Sequence, residues 1–210
     1  MADRFTAEPD MNPPQTLLQL TGRTYAPARL DSATLLVIDA QEEYRSGTLR
    51  LPGLEPAIAE IASLLHAARQ QGTPIIHVRH LGIPGGLFDP QGPRGEFLAE
   101  AQPQAAEKII EKRLPNAFAS TELHDYLQSL GRLDVVVCGF MTHSSVSSTV
   151  RAMKDYGYRC TLVESACATR DLPFADGSIA AEQIHRLEMA ALADNFAILV
   201  ADCAELIRSN

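Results

Sequence analysis

The sequence predicts an α/β fold: a three-layer α-β-α, Rossmann-like arrangement around a six-stranded parallel sheet. Three observations carry the prediction. Short apolar runs rich in β-branched residues alternate along the chain with segments of helical spacing. The first run, Thr34-Leu-Leu-Val-Ile-Asp39, is apolar between its ends, which marks a strand covered on both faces. Glycines stand where the helices should stop, at Gly72, Gly131 and Gly157.

The elements follow in order. Residues 1–32 read as an irregular arm punctuated by Pro13, Pro14 and Pro27, with Leu17, Leu18 and Leu20 available to pack it on the body. The folded domain then spans 33–210. Thr34 to Asp39 is the first strand. Ile58, Ile61, Leu64, Leu65 and Ala68 give helical spacing over 55–71. Pro74 to Val78 is the second strand, and a long loop with Gly and Pro occupies 81–104. Lys108 to Lys112 is a shorter third strand, followed by a helix over 119–130. Asp134 to Val137 leads a fourth strand to Cys138. Gly139 to Thr142 then turns into a helix that ends near Tyr156. Arg159 to Glu164 is the fifth strand, 178–194 a helix, Phe196 to Val200 the sixth strand, and a short helix closes the chain.

Composition limits the function. The 210 residues suit one domain, and 46% hydrophobic residues can build a large core. A net charge of −8 argues against a nucleic-acid or anionic-membrane surface. No apolar run reaches the ~20 residues of a spanning helix, and Met1 to Thr24 lack the pattern of a signal peptide. Cys138, Cys160, Cys167 and Cys203 form no C-x-x-C pair, as expected for a reduced, cytoplasmic chain.

In open parallel sheets, ligands bind beyond the carboxyl ends of the strands. Three such ends carry chemistry. Asp39 ends the first strand, Lys112 ends the third, and the turn after the fourth leads to Ser145 at a helix start. Each has a structural alternative: an Asp forms turns, a Lys is solvated, and a Ser caps a helix. Their convergence on one crevice argues for a site that takes a small-molecule substrate.

Further motifs join these ends. Leu36-Val-Ile-Asp39-Ala-Gln41 comes first. Glu111-Lys112 follows, with Pro115-Asn116-Ala117-Phe118-Ala119-Ser120-Thr121. Gly139-Phe-Met-Thr-His-Ser-Ser145-Val-Ser-Ser-Thr149 and Gly157-Tyr158 complete the set. In this order, over about residues 15 to 200, they resemble the isochorismatase-like (cysteine hydrolase) superfamily. Gly85 to Pro90 and Ala168 to Pro173 resemble a bacterial branch of it.

The resemblance implies a catalytic Asp, Lys and Cys, which fall on Asp39, Lys112 and Ser145. The family's nucleophilic cysteine is therefore a serine here. It also implies an oxyanion hole from the backbone N–H groups of Met141 and Ser145, a cis peptide between Phe140 and Met141, and a homodimer or larger oligomer. The implied activity is hydrolysis of a C–N bond in a small amide. Two alternatives stay open: Asp-driven vinyl-ether hydrolysis of the isochorismatase type, and a catalytically silent binding protein. The serine itself is compatible with an introduced Cys→Ser change, with a branch that works without a thiol, or with loss of catalysis.

Gln41, Tyr44, Phe88, Phe118, His143 and Arg170 are the candidate substrate contacts. For the phenylalanines ordinary packing is the alternative, and for Arg170 a surface ion pair. His80 and His143 lie close in sequence to the strand ends, but neither is placed by sequence to act as the base for Ser145. His77-Val-Arg-His80 has no accompanying Asp-x-His, so no catalytic metal is expected. No G-x-x-x-x-G-K-[ST] or strand-to-helix G-x-G-x-x-G is present, so no nucleotide or other cofactor is expected.

Overall fold

A computed structural model describes residues 13–208. The sheet is formed by β1 (Thr34–Ile38), β2 (Ile75–His80), β3 (Lys108–Lys112), β4 (Asp134–Phe140), β5 (Arg159–Ala168) and, after a short hairpin of β6 (Leu172–Phe174) and β7 (Gly177–Ile179), β8 (Ala197–Val200). Its order is β3-β2-β1-β4-β5-β8, and every neighbouring pair is parallel. The helices are α1 (Leu17–Leu20), α2 (Glu43–Ser46), α3 (Leu54–Gln71), α4 (Leu123–Leu130), α5 (Ser147–Asp155), α6 (Ala181–Asn195) and α7 (Cys203–Arg208). This is the predicted three-layer α/β fold with six parallel strands.

Alternation along each strand divides the core in two. Leu35 and Val37 of β1 pack with α3 residues Ile58, Ile61 and Leu65 on one face. Leu36 and Ile38 pack with Val137 of β4 and Val146, Val150 and Met153 on the other. All five residues of β1 are buried, which is why the run shows no polar alternation. Each such aliphatic side chain contributes roughly 1.5–3 kcal/mol on burial.

The chain winds one way from β1 through β2 to β3, and the other way from β4 through β5 to β8. β1 and β4 therefore flank the switch point, where a crevice opens beyond the strand ends. Residues 1–12 of the arm lie outside the described residues. In the remainder, a capping box between Thr16 and Gln19 closes α1. Farther on, the Tyr25 hydroxyl donates to the Cys160 carbonyl at 3.0 Å, and the Ala28 amide donates to Thr161 Oγ1 at 2.8 Å.

The elements differ from the sequence reading in several places. The helix expected over 119–130 begins at Leu123, because Ser120 takes a left-handed φ of 58°. β5 continues to Ala168, although half-buried Glu164 and Ser165 interrupt its apolar run. The β6–β7 hairpin was not expected, since three-residue strands, one of them holding Pro173, give no period to read. The segment entering α5 is one π-helical turn, Thr142–Val146.

Candidate active site

Asp39, Lys112 and Ser145 meet at the switch point. Asp39 follows β1 and takes a φ of 50°, a conformation Asp tolerates better than most residues. This turn aims the carboxylate over the sheet edge. Lys112 ends β3, two strands away, and its long stem carries the ammonium back under the crevice. Lys112 Nζ donates to Asp39 Oδ2 at 2.7 Å and to Ser145 Oγ at 3.0 Å. The ion pair is dry: the side chains are 0% and 1% exposed. Asp39 Oδ1 is also buried and has no hydrogen-bond partner among the described residues.

Ser145 sits inside the π-helical turn that precedes α5. The Ser144 and Val146 amides both donate to the Met141 carbonyl, at 3.0 and 3.2 Å. Among the described residues, the Met141 amide has no acceptor. The Phe140–Met141 peptide is cis. The Met141 N–H is thus unspent in the turn that leads to Ser145. Gly139 makes the close approach possible. Its φ is +123°, and a Cβ there would lie 2.1 Å from the Ile38 carbonyl oxygen and 2.7 Å from the Ile38 nitrogen.

A cleft of about 450 Å³ borders Lys112 and is lined also by Leu81, Arg113, Leu114, Ala119 and Ser120. Its size suits a small molecule. A larger hollow, about 660 Å³, is lined by Ile109, Ile110, Glu111, Glu122 and Asp125 among others, and reaches none of the three paired groups.

Aromatic rings pack beside His80 and Asp39. Tyr44 is buried edge-on against Phe88 and Phe140, with ring centroids 5.2 and 5.7 Å away. Burial, with the nearby Asp39 and Glu43 charges, holds its phenol protonated, well above the usual tyrosine range. Phe88 packs on the His80 ring at 4.9 Å. The fully buried Glu43 fixes that contact: Oε2 accepts from the Phe88 amide at 3.2 Å, while Oε1 accepts from the Thr48 amide at 2.8 Å.

Two expected substrate contacts are corrected. Gln41 is fully buried and its amide is spent on backbone. Nε2 donates to the carbonyls of His80 and Gly95 at 3.0 and 2.9 Å, and Oε1 accepts from the His80 amide at 2.8 Å. It is a strut between strand and loop. The buried Phe118 ring stacks on exposed Tyr156 at 4.8 Å and on Tyr158 of its core cluster at 6.2 Å. It packs rather than lines the cleft.

His143 and Arg170 form a separate group. His143 Nδ1 pairs with Thr169 Oγ1, and burial together with the Arg170 charge lowers the imidazole's pKa. Arg170 donates from Nη1 to the Asp171 carbonyl at 3.2 Å, and its Nε is buried without a partner among the described residues. Among the described residues, neither forms a hydrogen bond or ion pair with Asp39, Lys112 or Ser145. His80 was weighed in the sequence but not placed at the site, yet its Nδ1 lies 3.1 Å from Lys112 Nζ. Strand register brings them together, since His80 is paired with Lys112 across β2 and β3.

The cysteines stay out of this chemistry. All four are free and buried. Burial raises each thiol's pKa, that of Cys167 to about 12. Among the described residues, no group of three or more His, Cys, Asp or Glu side chains is arranged to hold a metal ion. No helix among them is long and apolar enough to cross a membrane.

The sequence matches a known family. The isochorismatase domain model matches residues 33–202. The chain belongs to the isochorismatase family. A solved isochorismatase-family structure, an isochorismatase from Pseudomonas putida KT2440, superposes with a TM-score of 0.90 at 62% identity, covering 92% of this chain and 99% of that one. The isochorismatase family protein YddQ of Bacillus subtilis is 38% identical over 77% of this chain and 91% of its own length. Streptothricin hydrolase of Streptomyces noursei is 32% identical over 68% of this chain, which spans 57% of that protein.

Proposed function

We propose that this isochorismatase-family chain hydrolyses a C–N bond of a small amide, with Asp39, Lys112 and Ser145 as its reacting set. The observation carrying the reading is the open Asp39 Oδ1, buried and unpartnered, while Oδ2 is held by an ammonium that also reaches Ser145 Oγ. A buried acceptor with nothing to accept is costly. The cost is recovered if a proton or a substrate N–H arrives there during reaction.

In this scheme Asp39 takes the Ser145 proton as Oγ bonds to the amide carbonyl carbon. The carbonyl oxygen becomes negative and is received by the Met141 and Ser145 N–H groups. The proton passes to the leaving nitrogen, the C–N bond breaks, and an ester to Ser145 remains. Water, deprotonated by Asp39, cleaves that ester and returns the proton to Oγ. Lys112 keeps its charge throughout. Tyr44 and Phe88 wall the site, and Arg170 is proposed to meet an anionic part of the substrate near His143. The relative named streptothricin hydrolase is compatible with this reaction class.

An alcohol gives up its proton far less readily than a thiol of pKa about 8.5, and a carboxylate is a weak base for it. The reading therefore predicts slow turnover for the chain as it stands. Ser145→Cys should raise ammonia release from small amides by about tenfold or more, and adding Asp39→Asn should abolish the gain. Failure of Ser145→Cys on every amide of a broad panel would contradict the proposal. Pyruvate release from isochorismate that needs Asp39 but ignores residue 145 would support the vinyl-ether reading instead, for which an Asp alone suffices. Absence of both activities, with substrate-sized molecules still bound, would mark a binding protein.

A further inference from the structure

A lysine ammonium has three N–H donors and no acceptor. At Lys112 all three have a partner: Asp39 Oδ2 at 2.7 Å, Ser145 Oγ at 3.0 Å and His80 Nδ1 at 3.1 Å. Because Lys112 can only donate, Nδ1 must bring a lone pair, and the imidazole proton sits on Nε2. Nε2 has no partner among the described residues.

The imidazole is held in that attitude from both sides. The Gln41 amide grips the His80 backbone at its N–H and its carbonyl. Phe88 covers the ring, and Glu43 fixes Phe88. Burial, then the Lys112 charge, lowers the His80 pKa, with Asp39 opposing and Arg113 adding to the effect. These are the charged groups that face the ring, and their balance keeps it neutral at pH 7.

We propose that His80 is a positioning residue: as a neutral acceptor it fills the third donor of Lys112 and thereby fixes the N–H that the ammonium points at residue 145. Without this acceptor one N–H would be buried unpaired, and the ammonium could shift away from the reacting oxygen to satisfy it. Protonated His80 would lose its lone pair and set a second cation 3.1 Å from the first. The site should therefore lose reactivity on the acid side as His80 takes up a proton. The inference rests on residue 145 being the reacting position, but it needs no knowledge of the substrate.

The test reads ionisation of a thiol placed at residue 145. In the full-length Ser145→Cys protein, alkylation by iodoacetamide is followed against pH, with the Ser145 protein giving the background from the buried cysteines. Two variants are added to it. His80→Phe keeps the ring and its packing but removes the acceptor. His80→Asn keeps an acceptor at the Nδ1 position and cannot titrate.

The thiol in the parent should ionise well below pH 8.5. His80→Phe should raise its pKa by about one unit and slow alkylation near neutral pH about tenfold. His80→Asn should restore the parent rate at pH 7 and hold it to lower pH. Nitrogen NMR of the imidazole, assigned by its loss in His80→Asn, should show a neutral ring with the proton on Nε2. Equal thiol pKa values in parent and His80→Phe, both folded by melting temperature, would overturn the proposal. So would a His80 that is protonated, or carries its proton on Nδ1, at pH 7. A parent thiol that ionises at or above pH 8.5 would overturn the reading of residue 145 along with it. Lost amidase activity with the expected thiol behaviour would count against the proposed function alone and support His80's role.

Discussion

Lys112 and Asp39 hold opposite charges in a place water does not reach, so each depends on the other. Removing one partner of a buried pair leaves an uncompensated charge and costs about 3–5 kcal/mol. Lys112→Ala should lower unfolding free energy by about that amount in a urea titration, besides ending catalysis. Asp39→Asn is the gentler probe. Asn tolerates the φ of 50° and keeps the shape, so the variant should stay folded while losing reactivity. Asp39, Lys112 and Ser145 were legible because strand ends are where polar residues stand out from apolar runs. Gln41 was misread for a physical reason. A polar residue beside an acid looks like a substrate contact, but a fully buried amide must first satisfy its own donors and acceptor, and the His80 and Gly95 backbone does this. His80 escaped because cross-strand register is invisible in a single sequence.

At the scale of elements, the site depends on how β4 ends. Gly139 lets this strand pass against Ile38 with no side chain between them, and the π-helical turn then lifts Ser145 into the crevice. Gly139→Ala adds a carbon where backbone already stands, at a φ that L side chains rarely adopt. The expected result is a loss of about 3 kcal/mol or more, or failure to fold, read by thermal melting. A melting point within a degree or two of the parent would show that the strands can separate without cost. The strands and long helices were readable from apolar runs and glycine stops. The hairpin of β6 and β7 and the late start of α4 were not. Their conformation is set by single residues such as Ser120 and by tertiary contact, and neither leaves a period.

At the scale of the molecule, acid should weaken the fold. His77, His80, His143 and His185 all have lowered pKa values, with burial the first cause in each. The native state resists protons that the unfolded chain accepts below about pH 6.5. Stability should therefore fall as pH drops from 7 to 5, seen as a falling melting temperature. Glu107 adds a second, lower step. Burial opposes its ionisation, but Arg69, the Gln104 amide and His77 outweigh it and hold the carboxyl at about 2. Its contribution is present above the ordinary glutamate range and lost as pH falls toward 2. Glu107→Gln should flatten that part of the curve. Ile83, Phe174 and Leu187 stand 70%, 68% and 72% exposed, and we propose that a homodimer or larger assembly covers such residues. Light scattering on a sizing column should give at least twice the 22.8 kDa chain mass.

The central claim is that residue 145 is the acyl-accepting position and that Asp39 drives it. Peptide mapping by mass spectrometry tests this directly, after brief exposure of Ser145→Cys protein to p-nitrophenyl acetate and an acid quench. The account predicts an acetyl group on the peptide containing residue 145, sharply reduced when Asp39→Asn is added. Acetylation spread over other residues, or unchanged without the Asp39 carboxylate, would contradict it.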